Sequence, residues 1–388
     1  MRGAMLYVNA GKGHYTPAVA LADSFNKAGH TVVVEDLFAV VGAPFWEWFC
    51  KYDWRFLLHH PHLEGIAHSG TDNRLSYHLI KWQGLSKTHL QNLKSWYERH
   101  KPDFIVSTNF IGGIILPSEF RKLGIDIPIF QYAADVFDTP RSGVNNELTK
   151  MYLPTEIGCH NAIRKGQPED TIALCPFPLQ SYIKNTPRLN QSEARKKLGL
   201  KDKFTVLFAL GGEGIGTPDF LYKMVERGFN WQIVAIGGMS KTTNAAFDKF
   251  CKEYPYVDFV RPGFVNNVNE YLLAANIQIG KAGANALMES IYLHRPCIIS
   301  DLLYAARATK DFFAENEVGW CEGKVSKQIS IVESYFNNSA LLEEMATRYA
   351  NLPVTFSSDK FRDQIIKDTE EYYSTKTRNL PLSHQAQY

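Results

Sequence analysis

The sequence predicts two doubly wound α/β domains, each built on a parallel sheet. Three observations carry that expectation. Apolar strand runs alternate with amphipathic helical stretches in two separate series of about 170 residues each. A break marked by Pro176, Pro178 and Pro187 divides the series. Three glycine-rich turns fall where strands run into helices. A chain of 388 residues has room for this, since domains usually span about 100–200 residues. The expected boundaries are an N-terminal domain over 1–183, a C-terminal domain over 184–352, and a helix and tail over 353–388.

The elements follow in order. Met5-Leu6-Tyr7-Val8-Asn9 is a short apolar strand that runs into Gly11-Lys12-Gly13-His14. A helix is expected from about Thr16 to Lys27, with Pro17 in its first turn and Ala18, Leu21, Ala22 and Phe25 on one face. Gly29 stops it, and Thr31-Val32-Val33-Val34-Glu35 is a second strand, so the chain opens on a βαβ unit. A helix is read near 74–99, strands at Phe104–Ser107 and Pro128–Tyr132, and helices near 113–123 and 156–165. Lys184 to Lys203 carries seven basic and two acidic residues, read as a connection followed by a short helix with an exposed basic face. The second series starts at Phe204–Leu210 and continues with strands at Gln232–Ile236, Asp258–Val260, Ile277–Ile279 and Cys297–Ile299. A final helix is expected over Ser357–Tyr373.

Composition narrows the function. Forty-two Lys+Arg against 40 Asp+Glu exclude a strongly polybasic nucleic-acid binder, and 45% hydrophobic residues support a sizeable core. No apolar run reaches the ~18 residues of a transmembrane helix, and the N-terminus breaks too early for a secretion signal. Six cysteines stand singly without a CxxC pair, which suits a reducing compartment and argues against structural zinc; no metal site is expected.

The glycine-rich turns carry the chemistry. Gly11-Lys12-Gly13-His14, Gly211-Gly212-Glu213-Gly214-Ile215-Gly216 and Gly280-Lys281-Ala282-Gly283-Ala284-Asn285 each precede a helix. Glycine lets backbone N–H groups approach an anion, and a helix N-terminus adds about half a positive charge. None satisfies GxGxxG or GxxxxGK[ST]. Taken singly, each is a tight connection; together they point to a phosphate-bearing ligand. In the third, the helix start suits a diphosphate beside Lys281, and Glu289, one to two turns on, suits a ribose diol; the alternative for Glu289 is a solvated helix carboxylate.

The string from Gly280 to Ser290, followed by Arg295-Pro296-Cys297-Ile298-Ile299, resembles the donor-binding signature of glycosyltransferase family 28, in particular monogalactosyldiacylglycerol synthases and processive diacylglycerol glucosyltransferases. Asn9-Ala10-Gly11-Lys12-Gly13-His14 is similar to their GGGH loop, Lys101–Thr108 to their KPDxIIxT strand, Ala133-Ala134-Asp135 to their VxTD segment, Pro176–Leu179 to their GxPI segment, and Arg261–Val265 to their GYV/GFV turn. The motifs keep the family's order over about residues 5–350.

The resemblance implies a GT-B fold, two facing Rossmann-like domains with a cleft between them, and inverting, metal-independent transfer of a hexose from a UDP-sugar to diacylglycerol. It needs no cofactor beyond the donor, UDP-glucose or UDP-galactose. It puts Phe264 and Val265 at the uracil, Gly283, Ala284 and Asn285 at the diphosphate, Glu289 at the ribose and Gly212 near the phosphates. Asp135 and His14 are the two choices of base, with Gly11 and Gly13 in the phosphate or acceptor loop. The sequence departs from the family at Lys12 and Tyr15. The segment that reaches the donor sugar stands here as Ala305-Ala306-Arg307, with Arg307 either replacing those contacts or pairing with a phosphate, so glucose, galactose and N-acetylglucosamine all stay open as the sugar. Transfer to a polyprenyl-linked or soluble acceptor, and a non-catalytic UDP-sugar-binding regulator, are the alternatives.

Aromatic residues concentrate between Pro44 and Lys101, where five of the seven Trp lie: Trp46, Trp48, Trp54, Trp82 and Trp96. Such rings suit a membrane–water interface, and interleaved lysines suit an anionic bilayer. The expectation is a cytoplasmic enzyme held peripherally on the inner face of the cell membrane, with Trp46, Trp48 and Trp54 at the surface. For the 74–99 helix the alternative is packing against the sheet.

Overall fold

The computed structural model describes residues 1–9, 12–184, 189–209, 217–281, 283–301, 304 and 307–378. For Lys12, Trp54, Arg55, Leu58, His59, Pro61, His62, Asp301, Thr377 and Arg378 it describes the backbone alone. The chain divides into two compact units, Met1–Ser181 with the segment from Pro353 onward, and Tyr182–Leu352.

The first unit holds six parallel strands: β1 (Arg2–Tyr7), β2 (Thr31–Asp36), β3 (Phe104–Ser107), β4 (Ile129–Tyr132), β5 (Lys150–Leu153) and β6 (Ile172–Leu174), in the order β2-β1-β3-β4-β5-β6. Side chains alternate between the two faces of a strand, and here both faces are covered. Ala4, Leu6, Ile105 and Ile129 enter one buried cluster, while Met5, Phe104, Val106 and Phe130 enter another. The helix Lys12–Lys27 covers the second face together with the C-terminal helix Ser358–Arg378, which the sequence reads as a tail beyond the second domain. Phe361 packs on Tyr132 and Tyr152, and the Tyr152 hydroxyl donates to Asp368 at 2.6 Å, so this helix is part of the first unit's core. Strands β5 and β6, Lys150-Met151-Tyr152-Leu153 and Ile172-Ala173-Leu174, are not among those read from the sequence, and they lack the β-branched runs of the strands that are.

The single helix expected near 74–99 is two, Arg74–Gln83 and Lys87–His100. Gly84 adopts φ +50°, which favours glycine, and the Ser86 hydroxyl caps the second helix by accepting from His89 N at 3.2 Å. The break separates two environments. Leu93 and Trp96 are core, with the Trp96 indole donating to Glu35, whereas Leu75, Leu79 and Trp82 are exposed.

The second unit repeats the plan with β7 (Thr205–Ala209), β8 (Gln232–Ile236), β9 (Phe259–Gly263), β10 (Ile277–Lys281), β11 (Cys297–Asp301) and β12 (Trp320–Cys321), all parallel, in the order β12-β11-β10-β7-β8-β9. The basic face expected before β7 is interrupted. Arg195 on the helix Gln191–Lys197 is buried and donates to Ala274 O at 2.9 Å, Asn276 Oδ1 at 2.7 Å and Asp202 Oδ1 at 2.9 Å. A buried guanidinium is tolerable because its donors are satisfied.

Candidate functional site

In the first unit the strand order reverses between β1 and β3, so the chains leaving them diverge to opposite faces and leave a crevice at the carboxyl ends. His14 lies in the first turn after β1, half-buried. Its Nδ1 is 2.7 Å from the Thr108 carbonyl, which accepts, and the Thr108 hydroxyl donates back to His14 O at 2.8 Å. Its Nε2 lies 3.0 Å from Asn109 Nδ2. Asn109 caps the helix Phe110–Lys122, its Oδ1 accepting from Ile111 N at 2.8 Å, and that bond turns the amide so that Nδ2–H faces the imidazole. His14 is thus held as the neutral tautomer with a proton on Nδ1, and burial pushes its pKa below the ordinary value. The lone pair on Nε2 is engaged by Asn109, so His14 is less ready than Asp135 to take a proton. Sequence reasoning missed Asn109; the signal was an Asn between a strand and an apolar helical run.

Asp135 follows β4, two strands from β1 and about 10 Å across the sheet by ordinary strand spacing. It is half-buried in a turn closed by Asp138 N donating to Asp135 O at 2.9 Å. Burial, reinforced by the Asp138 charge, pushes its carboxyl up to about 6, against the pull of His68 and Lys165. A carboxyl poised there is ionised at pH 7 yet more basic than an ordinary aspartate. Gly13 faces open space, with nothing within 4 Å of where a Cβ would stand; Gly11 lies outside the described residues.

In the second unit the order reverses between β7 and β10. β10 ends at Lys281, half-buried, and the helix Ala284–Tyr292 begins behind Gly283, which supplies no side-chain cap and faces open space. Ala284 and Asn285 form the first turn, where backbone N–H groups lack intrahelical acceptors. Glu289 is 8% exposed, so it is not a solvated helix carboxylate. Burial alone pushes its carboxyl up to about 8, and the Tyr182 phenol stands near enough to feel its charge. In the free protein at pH 7 this group therefore holds its proton. Phe264, just past β9, is 76% exposed, while Val265 packs on the core. The Arg307 guanidinium lies 3.9 Å from the centre of the Tyr304 ring and donates to Tyr304 O at 3.0 Å. Gly212 and the Ala305-Ala306 pair fall outside the described residues. Among the described residues, no three or more His, Cys, Asp or Glu side chains form a metal-holding group.

The helix Pro44–His59 shows solvent an aromatic stripe. Phe45, Trp48, Phe49, Tyr52 and Phe56 recur at helical spacing, all exposed, with Trp46 beside them. The Phe45 ring contacts Trp46, Trp48 and Phe49, and Trp48 contacts Tyr52 at 4.8 Å. The Trp54 side chain lies outside the described residues. No helix among the described residues is long and apolar enough to cross a membrane.

Two doubly wound units in one chain make the GT-B fold of glycosyltransferases and related enzymes, and solved structures match it along nearly its whole length. *Neisseria meningitidis* UDP-GlcNAc 2-epimerase bound to UDP-GlcNAc has a TM-score of 0.60 at 12% identity, covering 96% of this chain and 100% of that one. *Acinetobacter baumannii* MurG has a TM-score of 0.58 at 12% identity, covering 95% and 99%. Residues 218–307 match the family model of the glycosyltransferase family 28 C-terminal domain. It is 22% identical over 408 residues to monogalactosyldiacylglycerol synthase 3 of *Arabidopsis thaliana*, covering 99% of this chain and 84% of the relative. It is 23% identical over 291 residues to a processive diacylglycerol beta-glucosyltransferase of *Staphylococcus epidermidis*, covering 74% and 72%.

Asn109→Ser keeps a capping hydroxyl but removes the amide N–H that engages Nε2. The His14 pKa should then rise, as read by NMR titration of the imidazole; an unchanged value would mean that Asn109 does not hold the tautomer. Glu289 carries a second pH signature. Its folded carboxyl is raised above its ordinary value of 4.5, so the folded state binds the proton more tightly than the unfolded chain. Stability should fall as pH rises from about 4.5 to about 8, and Glu289→Gln should flatten that fall in urea titrations across this window. An equal slope in both proteins would count against a buried, protonated carboxyl.

Proposed function

We propose that the protein transfers a hexose from a UDP-sugar to diacylglycerol at a membrane surface, inverting the anomeric configuration without a metal or other cofactor. The observation that carries this reading is the exposed aromatic stripe of the Pro44–His59 helix, in the same unit as Asp135 and His14. Interfacial burial of such rings suits a lipid acceptor, and the Trp82, Leu75 and Leu79 side chains extend the apolar exposure. The named diacylglycerol-acting relatives support the same acceptor class.

The reaction is a single displacement. The acceptor hydroxyl oxygen bonds to the anomeric carbon, its proton passes to the Asp135 carboxylate, and the bond to the β-phosphate oxygen breaks, with its electron pair leaving on UDP. The open helix start at Gly283–Asn285 takes the developing charge, a role a metal ion fills in other phosphate chemistry. Glu289 meets the ribose diol, Phe264 and Val265 the uracil, and Arg307 the sugar or a phosphate. The donor is UDP-glucose or UDP-galactose. The enzyme works peripherally on the inner face of the cell membrane, the anionic lipid surface drawing it down.

UDP release from UDP-glucose or UDP-galactose should depend on diacylglycerol vesicles and should fall at least ~100-fold in Asp135→Asn, the usual scale for losing a general base. Replacing Trp46 and Trp48 with Ala should lower co-sedimentation with anionic vesicles. Release that ignores diacylglycerol, or near-normal turnover of Asp135→Asn, would count against the assignment.

A further inference from the structure

The turn that presents Asp135 is gripped by the helix Glu156–Arg164. The turn leaves β4 at Ala133, whose N–H donates to Tyr152 O at 3.0 Å, and it closes on Asp138 N donating to Asp135 O at 2.9 Å. The helix follows β5, the neighbouring strand, with Thr155 and Lys165 as its two caps. Side chains from the helix and both caps reach the turn. The Thr155 hydroxyl donates to Val136 O, and Asn161 Nδ2 donates to Phe137 O at 2.9 Å. Lys165 Nζ donates to Asp138 Oδ1 and to Thr139 O, both at 2.6 Å. Asn161 and Lys165 stand four residues apart and so share a face. The Asn161 amide is oriented by Arg164 Nη2, which donates to its Oδ1 at 2.6 Å.

Helix and turn meet without slack. A Cβ at Gly158 would stand 2.6 Å from Val136 O, so the first helical turn lies this close only because glycine is there. Lys165 and Asp138 each keep only 10% of their side-chain surface open. A buried pair of this kind adds little net stability, since desolvating two charges offsets their attraction; what it fixes is geometry. Asp138 Oδ1 also accepts from Thr139 N at 2.8 Å, so the carboxylate that Lys165 grips is locked to the backbone of the turn. The pair brings one charge of each sign to Asp135, Asp138 pushing its carboxyl up and Lys165 pulling it down.

We propose that Lys165, with Asn161 and Thr155, is a positioning residue for the base: gripping Asp138 Oδ1 and the carbonyls of Val136, Phe137 and Thr139, these side chains fix the turn, and with it the place of the Asp135 carboxylate against the acceptor hydroxyl. This rests on the reading of Asp135 as the base. A reacting group misplaced by about 1 Å can lose ~100-fold in rate while its substrate stays bound. The groups assigned to the donor belong to the other unit, so donor binding is spared. In sequence, Arg164-Lys165 reads as the ordinary basic end of a helix, and only the contact with Asp138, 27 residues earlier, gives Lys165 another task.

The test is a double-mutant cycle on kcat and KM, read as UDP release from UDP-glucose or UDP-galactose with diacylglycerol vesicles. Lys165→Met combined with Asp138→Asn removes the pair without changing the net charge beside Asp135, so a change in rate reports position rather than charge. The kcat should fall at least ~10-fold while the KM for the UDP-sugar stays within ~2-fold. In the Asp135→Asn background the same two substitutions should change the residual kcat by less than ~2-fold, since no base is left to position. Asn161→Leu, which removes the donor to Phe137 O, should show the same pattern and carries the test should the paired variant fail to fold. An unchanged kcat with Asp135 present overturns the proposal. So does an equal loss in both backgrounds, the mark of a general structural role, or a rise in KM that accompanies the fall in kcat. Near-normal turnover of Asp135→Asn alone removes the base, and the proposal with it. An impaired Asp135→Asn with an additive cycle leaves the base standing and removes only the positioning, so the two failures are read separately.

Discussion

Parallel pairing of β1 with β3 and of β7 with β10 is the constraint on which the chemistry depends. Each pair sits where the strand order of its sheet reverses, so the connecting segments leave in opposite directions and the carboxyl ends stay uncovered. The groups assigned to catalysis and donor binding follow a strand's carboxyl end: His14 after β1, Asn109 after β3, Asp135 after β4, Phe264 after β9, and Gly283 with Glu289 after β10. Strict alternation of apolar side chains between the two faces fixes that register. A one-residue slip would turn Ile105 and Phe104 to the wrong sides and carry Asn109 away from the His14 ring.

Burial then separates two carboxyls that the sequence presents as equivalent. Asp135 stays half-open among Asp138, Lys165, His68 and Glu64, and settles near 6. Glu289 is shut away without an offsetting charge, and settles near 8. At neutral pH the first is ionised and open to a proton, while the second is a neutral group able to give as well as accept a hydrogen bond. His14 is tuned the other way, lowered by burial and fixed as one tautomer by Thr108 and Asn109. Two carboxyls raised to different extents and one imidazole lowered are thus set apart by their surroundings.

Much of this was legible in the sequence, and the remainder was hidden for physical reasons. Strands with long β-branched runs, such as Thr31–Asp36 and Gln232–Ile236, declare themselves, as do the glycine turns before helices. Three short strands, Lys150–Leu153, Ile172–Leu174 and Trp320–Cys321, do not, since none holds a run of β-branched residues. The Trp cluster looked uniform in composition, yet one glycine with positive φ at position 84 divides it, leaving Trp82 in solvent and Trp96 in the core. At the site, residues carried by motifs were legible, whereas Asn109 was not, because its hold on the His14 ring is a contact between segments far apart in the chain.

The central claim, inverting transfer of a hexose to a lipid hydroxyl, is tested most directly by the stereochemistry of the product. The protein is incubated with UDP-glucose or UDP-galactose, both α-linked, and diacylglycerol vesicles, and the anomeric proton of the extracted lipid is read by NMR. A β-linked hexosyl-diacylglycerol is the expected result. An α-linked glycolipid, or free hexose or an altered nucleotide sugar with no glycolipid, would contradict it.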